Sequence, residues 1–249
     1  MTQLASAEPA LLQIESLTKS FGGFVAVDNI NMDVRRGERF GLIGPNGSGK
    51  TTLVNCISGA LRPNAGAVFF ASEEVTQLPP SRRARQGIAR SFQIPRPFRS
   101  MTVLENLLVA LDFASGRAVL ETASHRRDAA MSILGRMGLA AKAGVLTGTL
   151  TQVELRKMEL ARAMATGPKL LISDEAMAGL STSEIDEVLD LLLSLAGDGI
   201  AIIMIEHIMQ AVMRFSERVM CLDAGRIIAI GAPAEVMANA RVQEAYLGT

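Results

Sequence analysis

The sequence lacks the features that mark several classes of protein. Lys plus Arg and Asp plus Glu each number 25 in 249 residues, so no net charge draws the chain to nucleic acid or to an anionic membrane. Cys56 and Cys221 lie far apart without the spacing of a metal site, which predicts buried thiols in a reducing compartment. No basic region followed by an apolar run opens the sequence, so we expect no secretory signal. The apolar run at residues 200–205 is too short to span a bilayer. We expect a cytosolic chain without a nucleic-acid partner, unless a protein partner holds it at a membrane.

What is present describes a globular protein. Hydrophobic residues make up 49% and charged residues 20% of the sequence, which is typical of a chain with a large core. The length is long for one domain and short for two. Basic clusters at residues 81–85 and 125–127 are expected to be solvated faces of helices.

The most informative stretch is residues 44–52, which directly follow the apolar run 39–43. They match the phosphate-binding loop pattern G-x-x-x-x-G-K-[ST], in the strand–loop–helix context that the pattern requires. A glycine-rich turn without a ligand is the alternative, but every fixed position is filled. We therefore predict that the chain binds a nucleoside triphosphate. The predicted nucleotide-binding residues of the loop are Gly44, Pro45, Asn46, Gly47, Ser48, Gly49, Lys50, Thr51 and Thr52.

The chemistry of a triphosphate explains these residue types. Glycines let backbone N–H groups approach phosphate oxygens without obstruction by a Cβ atom. Lys50 is predicted to bring its positive charge to the β- and γ-phosphates, and the hydroxyl of Thr51 is a ligand for Mg²⁺. The helix beginning near Lys50 directs its positive N-terminal end at the same anion.

The rest of the chain predicts a mixed α/β architecture. Alternating residues predict antiparallel strands at 11–17, 24–27, 30–34 and 67–71. Residues 95–150 carry helical patterns, with leucines at 104, 107, 108 and 111 on one face, and a second helix near 121–137. Strands and helices then alternate, at 169–173, 181–196 and 200–205, before a final strand pair at 219–222 and 226–230. An antiparallel subsheet beside a parallel αβ core, with an inserted helical region, is the architecture that this order favours.

Polar residues that follow the apolar strands form a candidate catalytic set. Asp174 and Glu175 end the strand 169–173, where ligands bind in open α/β sheets. Asp174 is predicted to hold Mg²⁺, and Glu175 to orient and deprotonate a water for attack on the γ-phosphate. His207 follows the next strand at the same level, whereas His125, in a charged helical stretch, is expected to be structural. An acidic turn and a structural histidine are the alternatives for these positions.

Gln93 lies just before the helical region begins. Its amide oxygen is a candidate ligand for Mg²⁺ or for the attacking water, and its position suits a residue that reports the nucleotide state. By chemistry alone a glutamine is weak evidence.

In their order along the chain, these motifs resemble the ATPase subunits of ABC transporters. Residues 87–93, 101–106, 205–207 and 244–248 further resemble the importers of branched-chain (hydrophobic) amino acids. The resemblance implies a P-loop NTPase fold of the ABC ATPase type. This fold has a RecA-like αβ core with an antiparallel β subdomain (residues 1–94 and 165–249) and an inserted helical subdomain (residues 95–164).

The same resemblance implies function and partners. Phe21 and Val27 are expected to contact ATP, with Phe21 stacked on adenine, although the family more often has Tyr there. Two cassettes would pair head to tail and dock beneath transmembrane permease subunits, on the cytoplasmic face of the membrane, and an external solute-binding protein would supply the solute. ATP and Mg²⁺ are the expected cofactors. The catalytic residues that this implies are Lys50, Gln93, Glu175 and His207, and the Mg²⁺ ligands are Thr51, Gln93 and Asp174.

Residues 150–154 depart from the family. Where the family has Leu-Ser-Gly-Gly-Gln or a close variant, this chain reads Leu-Thr-Gln-Val-Glu. Val153 replaces a glycine that allows close backbone approach to the partner's γ-phosphate, and Glu154 replaces a neutral glutamine with a carboxylate. Thr151, Gln152, Val153 and Glu154 also form the pattern of a capping box, which stabilises a helix start without a ligand. Whether this altered signature supports hydrolysis stays open. Ala176 in place of Pro, and Ser181 in place of Asp, are smaller departures.

Several functions stay open beside the leading one, an ATPase that powers import of a small apolar or carboxylated solute. An export ATPase, a soluble ABC-type ATPase and a weakly hydrolysing regulatory subunit are the alternatives. Repair ATPases of this class need long heptad segments, and translation ATPases usually carry two cassettes in one chain; neither feature is present. The sequence leaves open whether the second ATPase subunit is identical, and which solute is moved.

Overall fold

Two β-sheets organise the chain in a computed structural model that describes residues 9–91, 96–114 and 123–247. One sheet is four-stranded and antiparallel, and the other is six-stranded and mainly parallel. In chain order the strands are β1 (Leu12–Phe21), β2 (Phe24–Val34), β3 (Arg39–Ile43), β4 (Ala65–Phe70), β5 (Glu73–Glu74), β6 (Ile88–Ser91), β7 (Leu170–Asp174), β8 (Ala201–Ile205), β9 (Arg218–Asp223) and β10 (Arg226–Gly231).

Helices lie in five of the connections between these strands and after the last strand. Two short 3-10 turns, Ala140–Lys142 and Thr147–Thr149, separate α4 from α5. In chain order the helices are α1 (Lys50–Ser58), α2 (Pro80–Gln86), α3 (Val103–Ala114), α4 (Ala123–Arg136), α5 (Gln152–Met164), α6 (Thr182–Gly197), α7 (Met209–Phe215), α8 (Pro233–Ala238) and α9 (Ala240–Leu247). None of the helices in the described residues is long and apolar enough to cross a membrane.

The parallel sheet has the strand order β10-β9-β3-β8-β7-β6, with β10 as an antiparallel edge. Successive residues of a strand face opposite sides, so both faces must be covered. Ile203 packs into a core shared with α1 and the antiparallel sheet, whereas Ile202 and Met204 pack into a core shared with α3, α4, α5 and α6. Because β3, β7 and β8 run parallel, the segments that follow them meet at one edge. The mixed architecture predicted from the sequence is confirmed.

The antiparallel sheet has the order β2-β1-β4-β5. The prediction of two separate strands at 24–27 and 30–34 was wrong, because β2 runs unbroken from Phe24 to Val34. Asn29 takes a left-handed conformation with φ of 50° inside this strand, and the register with β1 shifts around it. The Asn29 N–H donates to the Thr18 hydroxyl, so the irregular position still has a partner on β1.

The helical region packs around α3. Leu104 and Leu107 are buried, and Leu108 and Leu111 pack against the same core, which confirms the predicted helical face. Leu134 of α4 and Met158 of α5 belong to that core as well. The proposed boundaries of the helical subdomain at residues 95 and 164 stay a prediction.

Arg83 corrects the expectation that residues 81–85 form a solvated face. Arg82 and Arg85 are exposed, but Arg83 is only 1% exposed. Its guanidinium donates to the carbonyl oxygens of Cys56 and Ile57, both at 2.7 Å. These carbonyls belong to the last turn of α1, where the N–H of the C-cap residue Gly59 also donates to the Cys56 carbonyl at 3.4 Å. Arg83 therefore helps to close the C-terminal end of α1 from outside the helix. By contrast, His125 is exposed, and Cys56 and Cys221 are buried free thiols, as predicted.

Candidate functional site

The phosphate loop joins the C-terminal end of β3 to the N-terminal end of α1. Gly44 and Gly49 have φ of 147° and 104°, a region that side chains rarely adopt. A Cβ at Gly44 would stand 2.1 Å from the Leu222 carbonyl oxygen, and one at Gly49 would stand 2.4 Å from that of Ala26. Both positions therefore require glycine for space as well as for conformation.

Lys50 lies in the loop rather than in solvent. Its Nζ donates to the carbonyl oxygens of Gly44 and Pro45, at 2.7 and 2.9 Å. Burial lowers the pKa of the Lys50 ammonium, and the negative charges of Glu175 and Asp174 oppose that shift. The hydroxyl of Ser48 is buried and has no hydrogen-bond partner in the described part of the chain. An ammonium and an unsatisfied hydroxyl beside loop amides fit a phosphate.

One cavity of about 310 Å³ unites most of the predicted residues. Val27 lies outside it, fully buried, and Ala26 faces the cavity instead. Phe24 pairs with Phe21 across the β1–β2 turn and is more exposed, at 64% against 48%. Phe24 was missed because the strand pattern explained it already. The cavity is lined by Phe21, Phe24, Ala26, Asn46, Gly47, Ser48, Gly49, Lys50, Thr51, Thr52, Glu175 and His207.

Glu175 and His207 meet at the end of the parallel sheet. His207 Nε2 and Glu175 Oε1 are hydrogen-bonded at 2.5 Å, although 32 residues separate them in sequence. Glu175 has φ of 48°, an unusual conformation for a residue other than glycine, and its N–H donates to the Ile205 carbonyl. Such strain is found where the surrounding structure fixes a functional side chain, and here it directs the carboxylate into the cavity.

Asp174 turns away from the cavity lining toward Arg90. The Arg90 guanidinium donates to Asp174 Oδ2 and to Asn55 Oδ1, both at 2.6 Å, and only 12% of either charged side chain is exposed. Arg90 was not predicted as a site residue. Its position shortly before Gln93 could have indicated it. Arg90 lies on β6, a strand that was not predicted from the sequence and that pairs with β7. Gln93 itself lies outside the described residues.

Glu206 is a second residue that sequence reasoning missed. Its Oε1 accepts a hydrogen bond from the Met177 N–H at 2.9 Å, and its side chain is buried directly beside His207. Burial raises the pKa of the Glu206 carboxyl to about 7, and the nearby charge of Glu175 adds to the shift. Glu206 directly follows the buried strand β8, and its position between that strand and His207 did not single it out in the sequence.

The predicted Mg²⁺ ligands provide oxygen donors, which is the donor type that Mg²⁺ prefers. Two of the three, the Thr51 hydroxyl at the start of α1 and the Asp174 carboxylate at the end of β7, belong to the described residues, and the third, Gln93, lies outside them. In the described ranges no group of three or more His, Cys, Asp or Glu side chains could hold a metal. Mg²⁺ at nucleotide sites is commonly bound by one or two side chains together with phosphates and water, so this sparse donor set fits the ion.

The altered signature forms the start of α5. Thr151 is the N-cap, its N–H donates to Glu154 Oε2 at 2.9 Å, and its hydroxyl accepts from the Glu154 N–H at 3.4 Å, so the predicted capping box is confirmed. Glu154 also forms an ion pair with Lys142, and this hydrogen-bonded cation lowers the pKa of the Glu154 carboxyl. Gln152 donates to the Ala178 carbonyl at 3.1 Å, and Val153 packs against the core. None of these four residues lines the phosphate cavity described above.

Comparisons with known proteins assign the chain. The family model described as ABC transporter matches residues 27–178, and the model described as branched-chain amino acid ATP-binding cassette transporter matches residues 226–249. The chain belongs to the ABC transporter family. It is 39% identical to the high-affinity branched-chain amino acid transport ATP-binding protein LivG of Escherichia coli K12, over 96% of this cassette and 98% of LivG. It is 36% identical to BraF of Pseudomonas aeruginosa, with the same coverage.

Solved structures of cassettes have the same fold. A nucleotide-free ATP-binding cassette from an ABC transporter matches with a TM-score of 0.87 and 31% identity, over 97% of this chain and 100% of the other. A cassette in its ADP conformation matches with the same values. The ABC ATPase fold expected from the sequence is confirmed, and the cassette is an ATPase subunit of a transporter. The roles of single site residues stay predictions.

Proposed function

We propose that this cassette hydrolyses ATP to power the import of a branched-chain or similar small apolar amino acid. The observation that carries the proposal is the single cavity in which the phosphate loop, Glu175 and His207 meet. The substrate class comes from similarity to LivG and BraF, whose names specify branched-chain amino acid transport.

Each side chain of the cavity has a role in this proposal. Lys50 and the loop amides bind the β- and γ-phosphates, and Phe21 stacks on adenine with Phe24 beside it. Glu175 accepts a proton from the water whose oxygen attacks the γ-phosphorus, and ADP then departs. The hydrogen bond from His207 holds the Glu175 carboxylate in place for that transfer. Gln93 is proposed to contact the same water.

Thr51 and Asp174 are the residues that would hold Mg²⁺, with Gln93 as a third proposed ligand. When bound, the ion neutralises charge on the phosphate oxygens. The Arg90–Asp174 ion pair holds the carboxylate at a fixed position at the end of β7.

A second ATPase subunit is proposed to complete the site. In head-to-tail pairing the phosphate loop of one cassette faces the signature of its partner, and the partner receives residues 151–154 of this chain. A heterodimer then has one fully equipped site and one with an altered signature. Glu175→Gln in this subunit, and the equivalent change in its partner, tests this asymmetry by ATP turnover. Equal losses from the two changes would contradict it.

A groove of about 460 Å³ is the proposed contact for a transmembrane permease subunit. Its floor carries the exposed apolar side chains Phe98, Val109 and Phe113, and Arg162 stacks over the Phe98 ring at 5.6 Å. The groove extends from β6, just before Gln93, to α3 and α5. Binding there would hold the cassette peripherally on the cytoplasmic face of the membrane, while an external solute-binding protein delivers the amino acid.

Reconstitution with its permease subunits in liposomes tests the proposal. Uptake of labelled leucine from an external binding protein should require ATP, and Glu175→Gln should abolish it while ADP binding persists. Labelled lysine serves as the solute control. ATP turnover that proceeds without permeases and does not respond to leucine would support a soluble ATPase instead.

A further inference from the structure

The C-terminal helix contacts the phosphate loop. The Gly44 N–H donates to the hydroxyl oxygen of Tyr246 at 2.7 Å, across 202 residues of sequence. Gly44 is the first residue of the loop, and Tyr246 lies on α9. This hydrogen bond has no part in the function proposed above.

Three groups surround Gly44. Tyr246 binds its N–H, Lys50 Nζ binds its carbonyl oxygen at 2.7 Å, and the Leu222 carbonyl stands where a Cβ would lie. Of these three contacts, the one from Tyr246 is made by the C-terminal helix α9. A change in this contact would therefore move the residue whose carbonyl oxygen accepts the hydrogen bond from Lys50.

The helix is anchored so that it can hold the loop. Val242 is 1% exposed and packs with Ile43, Cys221 and Val236 in one core cluster. Ile43 directly precedes Gly44, and Tyr246 follows Val242 by four residues, so both side chains lie on the same face of α9. One face of α9 thus contacts the last residue of β3 and the first residue of the loop.

We propose that Tyr246 is a positioning residue of the nucleotide site, which couples the docking of α9 to the occupancy of the phosphate loop. The inference rests on the proposed nucleotide site. Coupling is reciprocal: if α9 favours the loop conformation that binds nucleotide, bound nucleotide strengthens the docking of α9 to the same extent. The segment concerned, residues 226–249, is the one that the branched-chain cassette model matches.

Tyr246→Phe removes only the hydroxyl and tests the first half of the proposal. We expect the Kd for ADP with Mg²⁺, measured by calorimetry, to rise about 2- to 10-fold, which is the effect of losing one hydrogen bond. Gln243→Ala is the matched control, because Gln243 donates from α9 to the Met237 carbonyl and does not touch the loop. This control should leave the Kd unchanged.

The amino-acid composition allows a direct measurement of the second half of the proposal, the effect of bound nucleotide on α9. The chain has no tryptophan and a single tyrosine, so its tyrosine emission comes from Tyr246 alone. ADP should change this emission with a midpoint equal to the calorimetric Kd, and N-acetyltyrosinamide in a parallel cell corrects for light absorbed by adenine.

Three results would overturn the proposal. The first is a Tyr246→Phe protein that binds ADP as tightly as the wild type. The second is equal weakening by Gln243→Ala, which would show that the Tyr246 hydroxyl does not itself position the loop. The third is tyrosine emission that saturating ADP leaves unchanged. A wild-type protein that binds no ADP would overturn the proposed function as well, and is thereby distinguished from these three.

Discussion

Helices α1 and α5 both begin at a loop that the family uses for ATP, but their first turns are built in opposite ways. Gly49, the N-cap of α1, provides no side-chain hydrogen bond, and the first turn of α1 has no acidic residue. The start of α5 is closed by the Thr151–Glu154 capping box, with an acidic residue in its first turn. Amides at a helix start need partners. No side chain caps those of α1, which suits an anion, whereas the capping box of α5 binds the N–H groups of Thr151 and Glu154.

The altered signature at residues 151–154 changes the electrostatics at the start of α5. The Glu154 carboxylate accepts a hydrogen bond from the Thr151 N–H at the start of α5 and pairs with Lys142. In the proposed head-to-tail dimer, a phosphate bound to the partner would approach the same helix start. A self-capped helix gains stability and attracts an anion less strongly. Loop 175–180 connects the two regions, because Met177 is held by Glu206 while Ala178 is held by Gln152 and Arg156.

The largest contrast in ATP turnover is expected between the same substitution in the phosphate cavity, at Glu175, and at the start of α5, at Glu154. Glu175→Gln should lower ATP turnover by about 100-fold or more, since it removes the group proposed to accept the proton from water. Glu154→Gln removes a charge from the capping box and should change turnover by less than about 10-fold. Steady-state turnover with the partner subunit present measures both. Similar losses of turnover in the two variants would show that the start of α5 is as important for hydrolysis as the phosphate cavity.

The next largest effect is a loss of stability when Arg83, which caps the C-terminal end of α1, is replaced. Arg83→Met should lower the free energy of unfolding by about 3 kcal/mol, because it removes the donor of the Ile57 carbonyl oxygen and leaves the Cys56 carbonyl oxygen with only the Gly59 N–H at 3.4 Å. Arg82→Met, at an exposed neighbouring position, should change it by less than about 0.5 kcal/mol. Urea denaturation checks both variants. If they unfold alike, α1 does not depend on a donor from outside at its C-terminal end.

The connecting loop should respond to pH through Glu206. Because the pKa of Glu206 is raised to about 7, the folded protein binds more protons than the unfolded chain above pH 4.5, and stability falls as pH rises toward 7. Glu206→Gln removes this dependence while keeping an acceptor for the Met177 N–H. The variant should gain up to about 3 kcal/mol relative to the wild type between these pH values.

Denaturation of Glu206→Gln and wild type at a series of pH values measures this difference. A difference that is constant with pH would show that Glu206 is ionised in the folded protein across the range. Loop 175–180 would then be held by a charge and not by a neutral carboxyl.

The smallest effect concerns the cap of α5. Thr151→Ala should lower the free energy of unfolding by about 1 kcal/mol, the usual loss for an N-cap. Thr149→Ala is the control, because the Thr149 hydroxyl bonds locally to the Leu146 carbonyl just outside the helix. Thermal unfolding compares the two. If Thr151→Ala costs nothing, the hydroxyl does not stabilise the helix and stays available for a ligand.

Local features were predictable because neighbouring residues create them. The phosphate loop follows from glycines at 44 and 49, the capping box from Thr151 and Glu154, and the helical face of α3 from the spacing of its leucines. Strand β2 was misjudged because the left-handed Asn29 breaks the alternation without ending the strand. Arg83 was misjudged because its partners belong to α1 and to the segment before α2, which helix periodicity does not describe.

The phosphate loop, the two carboxylates at the end of a buried strand and the self-capped helix α5 can be predicted from the sequence, since each depends on residues within one turn or one strand. Three contacts depend on how the chain folds: His207 with Glu175, Arg90 with Asp174 and Tyr246 with Gly44. Those contacts join residues 32, 84 and 202 positions apart. The order and register of strands β6, β7 and β8 and the docking of α9 bring them together, and packing across the whole chain determines both.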